Sequence, residues 1–89
     1  MRPAWVGKRR DETEPAIVSA LEGIGAKVER LDRPCDLLVR YRGVVMLLEV
    51  EGITKYRTRD QKQLDFLTAW QVPIVKSPMD AFRAIGAMI

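Results

Sequence analysis

The sequence contains no histidine among its 89 residues. Histidine is the side chain whose charge changes near neutral pH, and it acts as the general base in Ser-His-Asp and Cys-His triads. It also supplies the metal ligands of HExxH metalloproteases. These chemistries are therefore excluded, together with nucleases that use histidine as the general base. Any catalysis by this chain has to use carboxylates, lysines or a metal ion.

Cysteine is almost absent as well: the sequence has only Cys35. One cysteine cannot close a disulfide within the chain, and without histidine it supplies no zinc ligand cluster. Long apolar runs are missing too: the longest, Val44 to Leu48, has five residues, whereas a membrane-spanning helix needs about 20. The basic N-terminus lacks the apolar stretch of a signal peptide. We expect a cytoplasmic protein that does not contact a membrane.

The composition is that of an ordinary globular domain. Hydrophobic residues make up 47% of the chain and charged residues 30%, which differs from disordered and fibrous proteins. A chain of 89 residues suffices for one layered core but not for two. We therefore expect a single domain over residues 11–89, preceded by a basic arm over residues 1–10.

Basic residues are concentrated in two clusters, one before the first predicted helix and one after an acidic strand. The formal net charge of +3 favours binding to polyanions. Basic segments on either side of an acidic centre suit a phosphate backbone that meets a bound metal ion. The predicted nucleic-acid-binding residues are Lys8, Arg9, Arg10, Lys55, Arg57, Arg59 and Lys62.

The pattern of apolar residues predicts seven elements in the order α-β-β-β-α-β-α. Arg42-Gly43 separates two apolar runs as a tight hairpin. Thr58 and Gln61 have the spacing of a capping box, and Ser77 caps the last helix. This order predicts an α/β fold, a three-layer sandwich in which helices flank a four-stranded mixed β-sheet. The expected bounds are about Glu14–Ile24, Lys27–Leu31, Asp36–Tyr41, Val44–Glu51, Arg59–Trp70 and Val72–Lys76, with the last helix beginning at Pro78.

The third predicted strand is apolar on both faces until it reaches two acids, Glu49 and Glu51. A two-residue loop at Arg42-Gly43 sets Asp36 directly opposite Glu49, with Cβ atoms about 4.5–5.5 Å apart. A three-residue loop would shift this pairing by one. Two carboxylates at that distance on a largely buried sheet repel each other, and one takes up a proton unless a cation lies between them.

Magnesium resolves this repulsion, because it binds one or two carboxylates together with a backbone carbonyl, water and phosphate oxygens. The candidate ligands are Asp36, Glu49, Glu51 and the backbone carbonyl of Val50, with manganese as a possible substitute. Glu51 projects from the same face as Glu49. The alternative is that these acids mark the solvated end of a strand. For Glu49 alone or Glu51 alone, the solvated strand end is the better explanation. For Asp36, Glu49 and Glu51 together, a metal site is the better one.

Three segments of the chain resemble the PD-(D/E)XK nucleases, in particular small phage and bacterial proteins of the VRR-NUC type. They are Cys35-Asp36-Leu37-Leu38-Val39, Leu48-Glu49-Val50-Glu51-Gly52 and the helix start at Asp60-Gln61. The resemblance covers residues 11–86, and the order and spacing of the motifs agree along with the residue types. It implies a restriction endonuclease-like fold. It also implies a bacterial or phage-encoded homodimer that acts on branched DNA, including Holliday junctions.

The resemblance also implies roles for individual residues. The first-helix acid, matched by Glu14, supports the metal site; Asp36 and Glu49 match the acids that bind magnesium. Gln61 matches a residue that shapes the site or contacts nucleic acid. Glu14 also has a simpler interpretation as a first-turn acid that complements the helix dipole. Gln61 likewise has one as the capping-box partner of Thr58.

The sequence departs from the family pattern at two positions. Cys35 separates Pro34 from Asp36, and Glu51 stands where the family has a lysine that orients the attacking water and offsets transition-state charge. Glu51 could act as a general base in a site that relies on metal for electrostatic stabilisation. Alternatively Lys55 or Lys62 reaches into the site, or the protein has lost cleavage and kept binding.

The leading hypothesis is a magnesium-dependent DNA endonuclease without an organic cofactor. It is expected to recognise DNA structure more than base sequence, because a domain of this size has few elements free to read a groove. One alternative is a catalytically inactive nucleic-acid-binding module of the same fold. Another is a protein-interaction domain whose basic loops are solvated surface.

Overall fold

The computed structural model describes residues 12–52 and 59–87. The predicted basic arm with Lys8, Arg9 and Arg10 lies outside the described residues, as do Lys55, Arg57 and Thr58. Within these two ranges, seven elements are present in the predicted order. They are α1 (Thr13–Gly23), β1 (Lys27–Arg30), β2 (Leu37–Tyr41), β3 (Val44–Val50), α2 (Gln61–Ala69), β4 (Ile74–Val75) and α3 (Pro78–Ala84).

The four strands form one mixed sheet in the order β1-β2-β3-β4. Strand β2 pairs antiparallel with both β1 and β3, and β4 pairs parallel with β3. Tyr41 pairs with Val44, so the hairpin loop is Arg42-Gly43 as predicted. Both loop residues have positive φ, 52° and 82°, which is the backbone of a tight hairpin turn that matches strand twist. The predicted α/β class, mixed sheet and pairing register are confirmed.

Helices lie on both faces of the sheet, an arrangement compatible with a three-layer sandwich. The main core lies between the sheet and α1 and α3, and a smaller cluster lies between the other face and α2. Side chains alternate between the two faces along β3, so Leu48 and Val50 belong to the main core and Leu47 to the smaller cluster. The fully buried side chains of the main core include Ile17, Leu21, Leu37, Val39, Leu48, Val75 and Ala81.

The N-cap of α2 corrects one prediction. The cap is Asp60, whose side chain accepts a hydrogen bond from the Gln63 amide at 2.8 Å. The predicted capping box on Thr58 is therefore wrong as an account of this helix start, because the helix begins two residues later than expected. The cap of α3 is as predicted: the Ser77 hydroxyl accepts a hydrogen bond from the Asp80 amide at 3.1 Å.

The helices of the described segments contain 11, 9 and 7 residues. A helix that crosses a bilayer needs about 20 predominantly apolar residues. Within residues 12–52 and 59–87, no helix therefore has the length and apolar character to cross a membrane.

Candidate functional site

Three acids meet at the carboxyl end of β3. The register of the hairpin, continued one residue beyond β2, sets Asp36 opposite Glu49 as predicted. Asp36 is 3% exposed and Glu49 1% exposed, whereas Glu51 is half-buried just after the strand. Carboxylates are seldom this buried unless they are paired or bind a cation. The two buried acids are therefore the centre of the candidate site.

Asp36 is held in place by the end of the β3 backbone. The amides of Glu49 and Glu51 donate to carbonyls of the β4 segment at 2.9 and 3.0 Å. Successive residues of a strand direct their backbone N–H and C=O groups to opposite sides, so those of Val50 are directed to the β2 side. There the Val50 amide donates to Asp36 Oδ2 at 2.8 Å. The backbone carbonyl of Val50, a predicted metal ligand, is directed to this same side.

Glu49 has one satisfied oxygen and one that is not. Its Oε2 accepts a hydrogen bond from Arg59 Nε at 2.7 Å. Its buried Oε1 has no hydrogen-bond partner among the described residues. Burial raises the pKa of Glu49, and the charge of Asp36 and a side-chain hydrogen bond between the two carboxyl groups raise it further, while Arg59 lowers it; the net direction is upward. The ionised form of Glu49 is therefore held at a cost that a cation at Oε1 would relieve.

Basic side chains flank the acids. Arg59 bridges Glu49 and Glu51, since its Nη1 lies 4.0 Å from Glu51 Oε1. Lys76 follows β4 directly, and the parallel register continued by one residue sets it beside Glu51. Its Nζ lies 4.0 Å from Glu51 Oε2. Sequence patterns indicate no role for Lys76 and predict nucleic-acid contact for Arg59, whereas the structure directs Arg59 inward to the acids.

Gln63, not Gln61, is the glutamine of α2 that is buried against the site. Gln63 is 4% exposed and its Nε2 donates to the carbonyl of Pro34 at 3.3 Å. Gln61 is exposed and donates to Asp65 at 2.8 Å. Because the Pro34 loop leads directly into Asp36, Gln63 links α2 to the segment that carries this acid. The spacing of Asp60 and Gln63, which is that of a capping box, is the sequence signal for this residue.

Glu14 and Lys62 lie away from the carboxylate pair. Glu14 belongs to α1, which packs on the sheet face opposite Glu49, and its Oε2 lies 3.7 Å from Arg30 Nε. Lys62 is exposed on α2. Of the predicted site residues, the structure therefore brings together Asp36, Glu49, Glu51 and Arg59, and it adds Lys76, for which the sequence indicates no role.

Cys35 is buried beside the site and is not suited to nucleophilic chemistry. It is fully buried in the smaller apolar cluster with Leu67 and Val72. Burial raises the pKa of its thiol, and the nearby charges of Glu49 and Asp36 raise it further. Since the thiolate is the reactive form, Cys35 is a packing residue here.

The donor set suits a magnesium ion, though not a cage made of protein ligands alone. Within the described residues no group of three or more Asp, Glu, Cys or His side chains is arranged to hold a metal ion. Magnesium commonly uses one or two carboxylates and takes its remaining ligands from water and phosphate. Asp36, Glu49 Oε1 and the Val50 carbonyl fit this mode of binding.

Comparison with protein-family models, with curated proteins and with solved structures finds no match to this chain.

Proposed function

We propose that this protein is a magnesium-dependent DNA endonuclease with the restriction endonuclease-like fold of the PD-(D/E)XK superfamily. The observation that carries the proposal is the buried carboxylate pair at the end of β3. Asp36 and Glu49 are almost fully buried, and Glu49 Oε1 is without a partner among the described residues. A divalent cation satisfies that oxygen and relieves the repulsion within the pair. Manganese is the expected substitute.

Asp36 and Glu49 would hold the ion, and the Val50 carbonyl, on the same side of β3 as the Val50 amide that donates to Asp36, would be a further ligand. When bound, the ion stabilises negative charge on the phosphoryl group and makes water a stronger nucleophile at neutral pH. Glu51 is half-buried and adjacent, and it accepts the proton of the attacking water as the general base. The water oxygen forms a bond to phosphorus as the bond from phosphorus to the 3′ oxygen breaks, and the 3′ oxygen takes a proton from solvent, which leaves 5′-phosphate and 3′-hydroxyl ends.

Positive charge near the site replaces the lysine that the family pattern has at the position of Glu51. Lys76 is exposed, with its ammonium 4.0 Å from Glu51, and Arg59 lies between the acids. We expect both to contact a phosphate that binds at the carboxylates. This arrangement supports contact with the sugar-phosphate backbone and little reading of bases.

Branched DNA is the proposed substrate, with a homodimer as the active form. Two identical acidic sites related by a two-fold axis suit symmetric incisions on a four-way junction. The small size of the domain leaves few elements to read a groove. DNA affinity is expected to fall steeply with salt, because backbone contacts release counterions.

A catalytically inactive DNA-binding module is the second candidate, and the Arg59–Glu49 ion pair favours it. At 2.7 Å the guanidinium already compensates Glu49, so the acids need no metal ion to be tolerated. In this case DNA binds, but addition of magnesium or manganese produces no cleavage.

Cleavage of labelled four-way junction, flap and linear duplex DNA in magnesium, manganese or EDTA separates the two candidates. The wild type is expected to cut the junction only with metal, and Asp36→Asn and Glu49→Gln to lose cutting while retaining their fold. Glu51→Gln is expected to cut slowly, because the general base is lost. Glu22→Gln, which changes an exposed acid on α1, is the matched control and retains full activity. Continued cutting by purified Glu49→Gln protein would refute the site assignment.

A further inference from the structure

The guanidinium of Arg59 occupies the mouth of the acidic site. Its Nε donates to Glu49 Oε2 at 2.7 Å, and its Nη1 lies 4.0 Å from Glu51 Oε1. The side chain of Arg59 is 22% exposed, whereas that of Glu49 is 1% exposed. Arg59 therefore covers one oxygen of the buried acid and remains in contact with solvent.

The other oxygen of the same carboxylate lacks a partner within the described part of the chain. A carboxylate has two oxygens and about four lone-pair directions, so a single guanidinium does not satisfy it when it is buried. The Glu49 carboxylate thus combines an oxygen occupied by Arg59 with a buried one that lacks a partner among the described residues, and the Asp36 carboxyl lies next to this carboxylate. A divalent cation that binds there meets the positive charge of Arg59 at close range.

Glu51 provides an alternative position for Arg59. It is half-buried, and it already has both Arg59 and Lys76 at 4.0 Å. If Arg59 leaves Glu49, it therefore still has a carboxylate partner in Glu51, two residues further along the chain. Contacts of 4.0 Å are long for a charge-assisted hydrogen bond, so Glu51 has room to draw the guanidinium closer.

We propose that Arg59 is an exchangeable counter-cation: it neutralises Glu49 in the absence of a divalent ion, and the ion has to displace it to bind. The inference rests on the proposed metal site of Asp36 and Glu49. It adds a regulatory property, since the affinity of the site for metal is set by competition with a residue of the chain itself.

The test is calcium binding, measured by isothermal titration calorimetry without DNA. Calcium is a hard, oxygen-binding cation like magnesium, and this readout does not depend on cleavage. Arg59→Gln removes the competing charge and is expected to bind calcium roughly tenfold more tightly than the wild type, which corresponds to about 1.4 kcal/mol. Arg83→Gln is the matched control, because Arg83 lies on α3 in an exposed ion pair with Asp80 at 3.2 Å. It loses the same charge and is expected to bind as the wild type does.

Arg59→Lys provides a second measurement that does not depend on loss of charge. A lysine ammonium is a point charge and cannot span two carboxylates as a guanidinium does, so its calcium affinity is expected between those of the wild type and Arg59→Gln. Circular dichroism of each variant checks the fold.

The outcomes distinguish the inference from the function on which it rests. Saturable binding to the wild type with equal or weaker binding to both Arg59 variants overturns the inference and leaves the metal site intact. An equal gain in Arg83→Gln also overturns it, because the effect then reflects net charge. Calcium binding by Arg59→Gln with no detectable binding by the wild type supports the inference, because Arg59 then keeps the ion out of the site completely. No calcium binding to any of the proteins refutes the metal site and the inference together.

Discussion

The substitution Glu49→Gln tests how strongly the buried carboxylates of Asp36 and Glu49 repel each other when no divalent ion is present. Glu49 is 1% exposed, so solvent screens its charge poorly. At the Cβ spacing of about 5 Å that is general for directly opposite residues, two unit charges interact by roughly 3 kcal/mol at an effective dielectric constant of about 20. Glutamine removes this repulsion with Asp36 at nearly constant shape. It also loses the charge-assisted hydrogen bond from Arg59, worth about 1.5 kcal/mol. The variant is therefore expected to be about 1–2 kcal/mol more stable at about pH 7.5.

The pH dependence of this difference follows from the raised pKa of Glu49. Its folded-state value lies above its usual value of 4.5 because burial disfavours the charge. Protonated Glu49 therefore contributes stability that is fully present below the unfolded pKa and is lost as pH rises through the folded pKa. Glutamine does not titrate. The two proteins are expected to be similar near about pH 4, and the gap opens as the pH rises to about 7.5.

Thermal unfolding followed by circular dichroism, in EDTA and then in calcium, is the assay. A gain of about 1–2 kcal/mol corresponds to a melting temperature higher by about 5–15 °C in a domain of this size. A calcium concentration of about 100 times Kd stabilises the wild type by about 2.7 kcal/mol. The variant has lost a ligand and gains much less. The order of stability is therefore expected to reverse between EDTA and calcium.

Lower stability of Glu49→Gln in EDTA at neutral pH would refute this reasoning, because Arg59 would then more than compensate the buried charge. An equal calcium shift in the two proteins would refute the assignment of Glu49 as a ligand. Glu22→Gln, an exposed change on α1, is expected to stay within about 0.5 kcal/mol of the wild type in both conditions.

Two further predictions concern the elements that position the site. Gln63→Ala removes the hydrogen bond to the Pro34 carbonyl; it is expected to cost about 1 kcal/mol in urea unfolding and to weaken calcium binding, whereas Gln61→Ala on the exposed side of α2 changes neither. Ser77→Ala removes the N-cap of α3 and is expected to cost about 1 kcal/mol without changing calcium affinity; a change in affinity would show that α3 is linked to the site.

The sheet and its acids could be predicted from the sequence because they depend on local rules. Alternating apolar residues set the faces of β3, and Arg42-Gly43 set a two-residue turn. Together these two features are enough to place Asp36 opposite Glu49. The start of α2 was less predictable, because Thr58 and Asp60 are both good caps followed by a glutamine three residues later.

The basic half of the site could not be predicted, because it depends on contacts between distant segments. Arg59 is ten residues from Glu49 in the sequence, and its pattern is that of a solvated basic loop. Only the packing of α2 against the sheet directs it inward. Lys76 reaches Glu51 because β4 is parallel to β3, a pairing that a strand of two residues barely signals.

The short strand β4 has a further consequence for the acidic end of β3. Carbonyls of the β4 segment accept hydrogen bonds from the amides of Glu49 and Glu51, so the amide of Val50 between them is directed to the β2 side. The chain has turned away from a regular ladder there, since β2 begins only at Leu37. The carboxylate of Asp36 takes the place of the missing strand carbonyl. A buried acid is thus built into the sheet as a backbone partner, and its position beside Glu49 follows from the hairpin register together with the hydrogen bond from the Val50 amide.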